Sequence, residues 1–207
     1  MAEQLGLLPD GGGSIPTSPL QLKFAPIRSE NMNAIVVERH YSHRAVPSSW
    51  SWGAYFLGEL YGVISFGKPA NMQLCRGVCG PSKADRVYEL NRLWMDDRAI
   101  KNSESRFIGW SLREMGRMRP QPILVSYADT AAGHSGLVYA STNWLYTGLT
   151  LERVVMSFGG KHPRHSELDP RASVTQRSKK HRFVYVFNKE DRAQLRYEVK
   201  KWKGDMK

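Results

Sequence analysis

Apolar and polar residues alternate along much of this chain with the two-residue period of β-strands, and stretches of helical period separate the alternating runs. Seven strands are predicted. They are Leu22–Ile27, two arms of a hairpin within Trp50–Gly67, Arg86–Met95, Ile123–Asp129, Leu151–Phe158 and His181–Phe187. The two arms flank Leu57-Gly58-Glu59, which is typical of a β-hairpin turn.

Helical spacing of apolar residues predicts helices between these strands. The predicted helices run from Ser29 to about His40, from Ser103 to Pro120, from His134 to about Asn143 and over Glu190–Trp202. Ser29 is predicted to be the N-cap of the first of them. Residues 68–84 are predicted to form a loop. The resulting order, β-α-β-β-β-α-β-α-β-β and a helical end, indicates a mixed α/β fold around a central sheet.

Composition divides the chain into three parts. Residues 1–20 combine a Gly triplet with Pro and Ser and are predicted to be a flexible tail. Residues 21–190 form one α/β domain of the expected size, and 191–207 form a helical tail. No apolar run approaches the ~18 residues of a membrane span, and no signal peptide is visible, so a cytoplasmic protein with no membrane partner is expected. The oligomeric state is left open, with a dimer allowed.

The two cysteines are too few for a disulfide scaffold and indicate a reduced compartment. Cys75 and Cys79 could be combined with His162 and His165 as zinc ligands, but the distance between the two pairs is unconstrained. Two buried or loop thiols are the favoured interpretation.

Positive charge is concentrated at the C-terminal end. The net charge is +11 and the pI is about 9.8, and residues 161–207 hold 14 Lys and Arg against six Asp and Glu. This concentration favours a nucleic-acid partner over a general solubility role. A basic loop over 159–182 is predicted to contact DNA phosphates, with a solvated loop as the alternative. The candidates are Lys161, Arg164, Arg177, Lys179, Lys180 and Arg182.

A strand, a polar turn and a helix follow one another at Arg86–Gly109, an arrangement that can hold phosphate groups. Free N–H groups and the positive dipole end at a helix start attract anions. Small polar residues keep the approach open, and basic residues nearby add charge. The candidates are Ser103, Ser105 and Gly109 with Arg92, Lys101 and Arg106. A Ser-rich N-cap without a ligand is the alternative interpretation.

Two imidazoles, a phenol and two guanidiniums crowd the end of the first helix, in Arg39-His40-Tyr41-Ser42-His43-Arg44. Cations at a helix C-terminus are stabilised by about 0.3–1 kcal/mol, which explains the basic residues without a function. A functional site is the alternative, and the resemblances below favour it.

The order of elements resembles the GNAT acyltransferase fold, whose fourth and fifth strands splay apart to admit acyl-CoA. The resemblance implies acetyl-CoA as cofactor, held by Arg92, Ser103, Ser105, Arg106 and Gly109. The pyrophosphate turn R/Q-x-x-G-x-G/A of that family is degenerate here as Ser105–Trp110. The segment "GLVYASTNW" is similar to a GNAT helix in which a tyrosine protonates the departing thiolate, which implies that role for Tyr139; core packing is the alternative.

Several strings resemble the Mom family of phage DNA-modification proteins. They are "ERHYSHR", "GAYFLGELYGVISFG", "VYELNRLWM", "KNSESRFIGWSLR", "ILVSYADTAAGHSGLVYASTNWLYTG" and "KKHRFVYVF", within residues 22–190. The resemblance implies conversion of adenine in double-stranded DNA to N6-carbamoylmethyladenine, which protects bacteriophage DNA from restriction. The functional positions it implies are His40, Tyr41, Arg92, Ser105, Asp129 and Tyr139.

In a GNAT-like fold the end of the first helix overlooks the acceptor side of the cleft. His40 and Tyr41, with Asp129 and His134, are therefore expected to line an adenine pocket, and His43 and Arg44 to contact DNA phosphate. Catalysis is assigned to His40, Tyr41, Asp129 and Tyr139.

Attack of adenine N6 on a thioester gives an amide, whereas carbamoylmethyl is attached through its CH2, so an additional step is required. Iron held by His40, Tyr41 and Asp129 is one hypothesis, and acid–base catalysis by the same residues is the other. Two further functions compete with DNA modification. One is conventional N-acetylation of a protein or small amine, and the other is non-catalytic DNA binding.

Overall fold

A computed structural model of the protein describes residues 15–157 and 173–204, and nine strands and five α-helices are assigned within them. The strands are β1 Lys23–Pro26, β2 Trp50–Phe56, β3 Glu59–Gly67, β4 Val87–Met95, β5 Ile123–Asp129, β6 Leu145–Leu149, β7 Arg153–Ser157, β8 Ser173–Arg177 and β9 Lys180–Val186. The helices are α1 Ser29–Arg39, α2 Met72–Cys79, α3 Ser103–Gly116, α4 Leu137–Ala140 and α5 Lys189–Ala193.

Seven strands form one sheet in the order β1-β2-β3-β4-β5-β9-β6, and β7 pairs with β8 in a separate ribbon. All pairs in the large sheet are antiparallel except β4 with β5. The predicted mixed α/β sheet is confirmed. The hairpin is confirmed as β2 and β3, with Leu57 and Gly58 both at positive φ, as a two-residue type I′ turn requires.

The parallel pair β4–β5 separates after three residue pairs, from Val87–Ile123 to Glu89–Val125. Beyond this point β4 stays paired with β3 as far as Met95, and β5 stays paired with β9 as far as Asp129. The Ser126 hydroxyl donates to the Leu90 carbonyl at 3.1 Å and bridges the two strands just past the last pair. The predicted splayed strands are therefore confirmed, and the sheet forks at this bridge.

Alternate residues of each strand point to opposite faces, so the helices that contact them are assigned to faces. Phe66 and Leu124 pack with α3 residues such as Phe107 in the largest core cluster. Val63 packs with Met32 and Val36 of α1, and Ile123 and Val125 pack with the cysteines of α2. Helix α3 thus covers one face, and α1 and α2 cover the other.

The prediction of a loop over residues 68–84 is wrong, because Met72–Cys79 forms α2. Asn71 caps it by accepting a hydrogen bond from the Gln73 amide at 2.8 Å. Cys75, Val78 and Cys79 are buried on one side of the helix, so packing against the sheet stabilises a segment that is too short for a clear helical period. Both cysteines are free and buried in α2, so of the two predicted environments, buried or in a loop, the structure shows the buried one.

Several predicted boundaries are also wrong. Ser29 is the first residue of α1 and not its cap, and its hydroxyl contacts the Ser48 hydroxyl at 3.0 Å. The helix predicted over 134–143 is reduced to α4, and strand β6 follows it unpredicted. The helix predicted over Glu190–Trp202 ends at Ala193 in α5. In the described residues no helix combines the length and apolarity needed to cross a membrane.

Candidate active site

A cavity of about 570 Å³ opens in the fork between β4 and β5. Its walls come from the end of α1, the second half of β4, the start of α3, the end of β5 and the segment that leads into α4. The polar and aromatic residues that line it include Arg39, His40, Tyr41, Asn91, Arg92, Trp94, Asp97, Glu104, Tyr127, His134, Ser135 and Tyr139. Of the residues to which the resemblances assign a role, His40, Tyr41, Arg92, His134 and Tyr139 line this cavity.

His40 is the most deeply buried of the residues at the end of α1, with 6% of its surface exposed. Its Nδ1 accepts a hydrogen bond from the Ser42 amide at 3.1 Å and lies 2.8 Å from the Ser42 hydroxyl. Because a backbone amide can only donate, Nδ1 is unprotonated and the proton of the neutral ring is on Nε2. His40 is therefore a hydrogen-bond donor at its other nitrogen.

Burial lowers the pKa of His40 to about 4, and the positive charges of Arg92, His134 and His43 act in the same direction. The ring is neutral at physiological pH. A metal at Nε2 would need the proton on Nδ1, and that would break the bond from the Ser42 amide.

The depressed pKa of His40 predicts a specific pH dependence of stability. Below pH 6.5 the unfolded chain protonates His40 while the folded chain does not until about pH 4, so stability falls with pH in this window. Between pH 7.5 and pH 5 this effect should lower the free energy of unfolding by about 2 kcal/mol. Urea unfolding at both pH values should show this loss in the wild type and not in His40→Asn. Equal losses in both proteins would contradict it.

Tyr41 bridges the two walls of the cleft by ring contacts. Its ring centroid lies 4.3 Å from that of His40 and 5.1 Å from that of His134, which belongs to the segment between β5 and α4. Tyr41 itself is 57% exposed. The three rings form an aromatic row along the cleft, of the kind on which a base can stack.

Tyr139 lies at the inner end of the cleft, next to the fork. The Ser126 hydroxyl lies next to the phenol and acts to lower its pKa, and the same hydroxyl donates to the Leu90 carbonyl at 3.1 Å. Burial raises the pKa of Tyr139 to about 12, and the phenol keeps its proton at neutral pH. The ring packs on Trp144 and Phe183 at 5.4 and 5.2 Å between centroids. Tyr139 is thus packed in the core and also presents a protonated phenol to the cavity.

Asp129 does not line the cavity, and the prediction that it joins His40 and Tyr41 there is wrong. Its carboxylate pairs with Lys180 at 2.8 Å and accepts hydrogen bonds from the Ser178 hydroxyl and, at 3.0 Å, the Ala131 amide. Burial alone would raise the pKa of Asp129, but these bonds outweigh it and lower the pKa.

The predicted iron site is therefore not formed. Its three ligands do not converge, His40 presents a protonated Nε2, and no group of three His, Cys, Asp or Glu side chains suited to a metal occurs among the described residues.

Arg92 lines the cavity, but its guanidinium is used to brace the loop after α1. It donates to the Arg44 carbonyl at 3.2 Å from Nε and 3.0 Å from one terminal nitrogen, and to the Asn91 carbonyl from the other. Burial lowers the pKa of Arg92. The His43 and Arg44 side chains are exposed on the same loop, and His43 Nδ1 contacts the Val37 carbonyl at 2.9 Å.

The start of α3 is placed differently from the prediction. The turn after β4 spans residues 96–102, and Ser105–Trp110 lie within α3, so they do not form the pyrophosphate turn. Arg106 points away toward β1, with its guanidinium 5.4 Å from the Phe24 ring. Asn102 makes no side-chain cap, and the Ser103 hydroxyl is buried without a partner in the described structure. The first turn of α3 therefore keeps donors for a ligand, whereas Arg106 does not contribute.

Of the predicted phosphate contacts, Lys161, Arg164 and the side chain of Arg177 lie outside the described residues. Lys179 is exposed and lies 3.7 Å from Glu152, and Lys180 is paired with Asp129. Arg182 is in β9, donates to Thr147 and lies 3.5 Å above the Tyr197 ring. Lys180 and Arg182 are therefore engaged within the fold.

Sequence reasoning left open whether Glu104 contributes to the cavity and assigned no role to Ser42. Glu104 lies at its rim in the first turn of α3; partial burial raises the pKa of its carboxyl, and His134 acts in the opposite direction. Ser42 fixes the His40 tautomer. Glu104 follows an N-cap position, where acidic residues are common, so the pattern alone gave no separate signal.

Comparisons with known proteins agree with this architecture. The model of the Mom protein family matches residues 21–203. The methylcarbamoylase Mom of Escherichia phage Mu is 27% identical over 193 residues, which cover 84% of this chain and 79% of that protein. YncA of Salmonella typhimurium, solved with its cofactor acetyl-CoA, has a TM-score of 0.51 at 10% identity over 82% of this chain and 95% of its own. An acetyltransferase of the GNAT family from Streptococcus pneumoniae has a TM-score of 0.50 at 8% identity, over 81% and 99%. The predicted GNAT-like fold is confirmed.

Proposed function

The chain belongs to the Mom protein family, and on that premise we propose that it is a transferase that converts adenine in DNA to N6-carbamoylmethyladenine. The observation that carries the proposal is the cavity in the fork, where His40, Tyr41 and Tyr139 meet. The similarity to the phage Mu methylcarbamoylase supports the nature of the transferred group. Protection of phage DNA from restriction would follow from such a product.

The side chains that line the cavity support two roles, the binding of a base and the donation of a proton. The row of His40, Tyr41 and His134 offers rings to a base and a neutral donor at His40 Nε2, which suits the acceptor nitrogens of a purine. Chemistry on a base requires it to leave the stack, which costs a few kcal/mol and needs a pocket that grips it. Tyr139, which lines the same cavity, holds a proton on its phenol oxygen.

The residues present fit an acyl-CoA, such as acetyl-CoA, in the fork. The uncapped first turn of α3 with the unpartnered Ser103 hydroxyl would bind phosphate, whereas the Ser105 hydroxyl in the same turn donates to the Asn102 carbonyl at 3.1 Å. When bound, the thioester would supply an activated acyl carbon. Because the product is joined through CH2, transfer of an acetyl group alone does not account for it.

Mass spectrometry of nucleosides tests the proposal directly. DNA from cells that express the protein should contain an adenine heavier by a carbamoylmethyl group, and DNA from cells that express His40→Ala should contain far less. Acetylated protein or amine with unmodified DNA would favour a conventional acetyltransferase. DNA binding with unmodified adenine in both cultures would favour a non-catalytic DNA-binding protein.

Binding to double-stranded DNA is expected to depend strongly on salt. The logarithm of the association constant should fall against the logarithm of salt concentration with a slope of about −0.9 per phosphate contacted. Arg44→Ala should make the slope less steep by about one contact, because it removes one cation that is expected to face a phosphate. The substitution keeps the main-chain carbonyl that accepts from Arg92, so the loop itself should not change. Fluorescence anisotropy of a labelled duplex measures both slopes.

The matched control is Arg117→Ala. Arg117 follows the last residue of α3, is exposed and pairs with Glu114. Removal of its charge should therefore leave the salt dependence of DNA binding unchanged. A slope near zero in the wild type would exclude phosphate contacts as the source of affinity.

A further inference from the structure

The chain from Leu195 to Trp202 has no regular secondary structure, although its sequence predicts a helix. Three hydrogen bonds to distant elements hold it instead. The Arg196 amide donates to the Val78 carbonyl at 2.9 Å, and the Lys200 amide donates to the Tyr146 carbonyl at 2.8 Å. Trp202 Nε1 donates to the Ser135 carbonyl at 3.2 Å. The segment therefore runs from α2 past β6 to the segment before α4.

Ring contacts reinforce this path. The Arg182 guanidinium lies 3.5 Å from the centroid of Tyr197, and the Trp202 ring packs against the main core cluster. Tertiary contacts have thus overridden local helix propensity along the whole segment. A place where local preference is overridden is where a functional constraint is expected.

The acceptor of the Trp202 bond belongs to the wall of the cleft. His134, Ser135 and Gly136 all line the cavity, and His134 carries the ring that contacts Tyr41. Gly136 has a φ of +84°, and a Cβ there would lie 2.3 Å from Phe183, so the backbone takes a conformation and an approach that only glycine permits. The segment has little freedom to adjust at this residue.

Residues 133–136 are otherwise held by local bonds. Within the described part of the chain, their other hydrogen bonds all run to groups of residues 129–140, such as the His134 amide to the Asp129 carbonyl at 3.1 Å. The indole N–H of Trp202 is the bond that ties this segment to another part of the fold.

We propose that Leu195–Trp202 is a strap that sets the acceptor wall of the cleft, with Trp202 as a positioning residue that acts through Ser135 and His134. The indole holds the Ser135 carbonyl, and this keeps the His134 ring against Tyr41 and His40. The consequence for catalysis rests on the proposed function, whereas the mechanical role does not. Trp202 touches neither the cavity nor a reacting atom.

Trp202→Phe tests the strap because it keeps an aromatic ring and removes the N–H. Amide hydrogen exchange in residues 133–137, measured by mass spectrometry, should accelerate about fivefold, as expected for loss of one hydrogen bond. Exchange in β3 and β5 should stay unchanged. Kinetics on duplex DNA should show a raised KM with a smaller change in kcat. Lys200→Ala is the control, since its contact with Tyr146 is made by the main chain and survives the substitution.

The outcomes separate the strap from the proposed function. Unchanged exchange in residues 133–137, or equal acceleration throughout the sheet, would overturn the strap. Local acceleration with unaltered KM would overturn its role in positioning. Failure of the wild type to modify DNA would count against the proposed function, and the exchange comparison would still decide whether the strap exists.

Discussion

Tyr139→Phe is expected to lower the rate of adenine modification by roughly 100-fold to 10,000-fold, the usual contribution of a positioned proton donor or acceptor. The phenol is protonated at neutral pH, because burial raises the pKa of Tyr139 to about 12, so it has a proton to give to a departing thiolate. Phenylalanine keeps the ring contacts with Trp144 and Phe183 and removes only the O–H. The rate should be measured as modified nucleoside formed on duplex DNA by purified protein.

Tyr185→Phe is the matched control for this experiment. Tyr185 lies in β9, where it packs on Trp144 and Phe187, and it does not line the cavity. Its variant should keep wild-type activity. Thermal unfolding should show that Tyr139→Phe is nearly as stable as the wild type, because phenylalanine keeps the ring contacts with Trp144 and Phe183. Full activity in Tyr139→Phe would remove the phenol from the mechanism.

Asp191→Asn is expected to destabilise the fold by about 3–5 kcal/mol, because it leaves buried positive charge without its partner. Asp191 is 1% exposed and binds Arg86, Lys83 and Asn188, so it joins α5 to the turn before β4. Burial alone would raise the pKa of Asp191, but bonds from these three side chains outweigh it and lower the pKa. Urea unfolding at pH 7 measures the loss.

The pH dependence supplies an independent check on Asp191. A carboxylate whose pKa is lowered in the folded state stabilises the protein above its unfolded pKa, and this contribution is lost as pH falls through the folded pKa. The gap in stability between wild type and Asp191→Asn should therefore narrow below about pH 4. Glu190→Gln is the control, since Glu190 is exposed and its bond to Lys83 should contribute little.

Sequence patterns predicted those elements whose side-chain period survives packing. The β2–β3 hairpin is of this kind, because apolar and polar residues alternate along both strands. Helix α3 is also of this kind, because Phe107 and Met115 belong to a row of apolar residues with helical spacing. Both patterns can be read from the sequence without knowledge of tertiary contacts. α2 and β6 were missed since each is short and is stabilised by its neighbours. The strap was mistaken for a helix because its composition is helix-prone and its partners lie far away in sequence.

The residues of the candidate site were predicted only in part. The resemblances to the GNAT fold and the Mom family placed His40, Tyr41 and Tyr139 around one cleft, and all three line the cavity. The position of Asp129 was predicted wrongly although its strand was predicted correctly, because a side chain at the end of β5 can face either the cavity or the neighbouring strand β9. Asp129 pairs with Lys180, the residue opposite it on β9, and this ion pair holds the carboxylate away from the cavity. The local sequence does not predict that pairing.

The fork has a consequence for how a ligand enters. Each wall keeps its outer ladder, β4 with β3 and β5 with β9, while the facing edges beyond Glu89 and Val125 form no pairs with each other. An incoming molecule therefore displaces water and breaks no main-chain bond of the sheet. Along the unpaired edge of β4, main-chain N–H and C=O groups recur as the strand rises by about 3.3 Å per residue. A slender ligand with amide groups of its own can lie along that edge as an additional strand would.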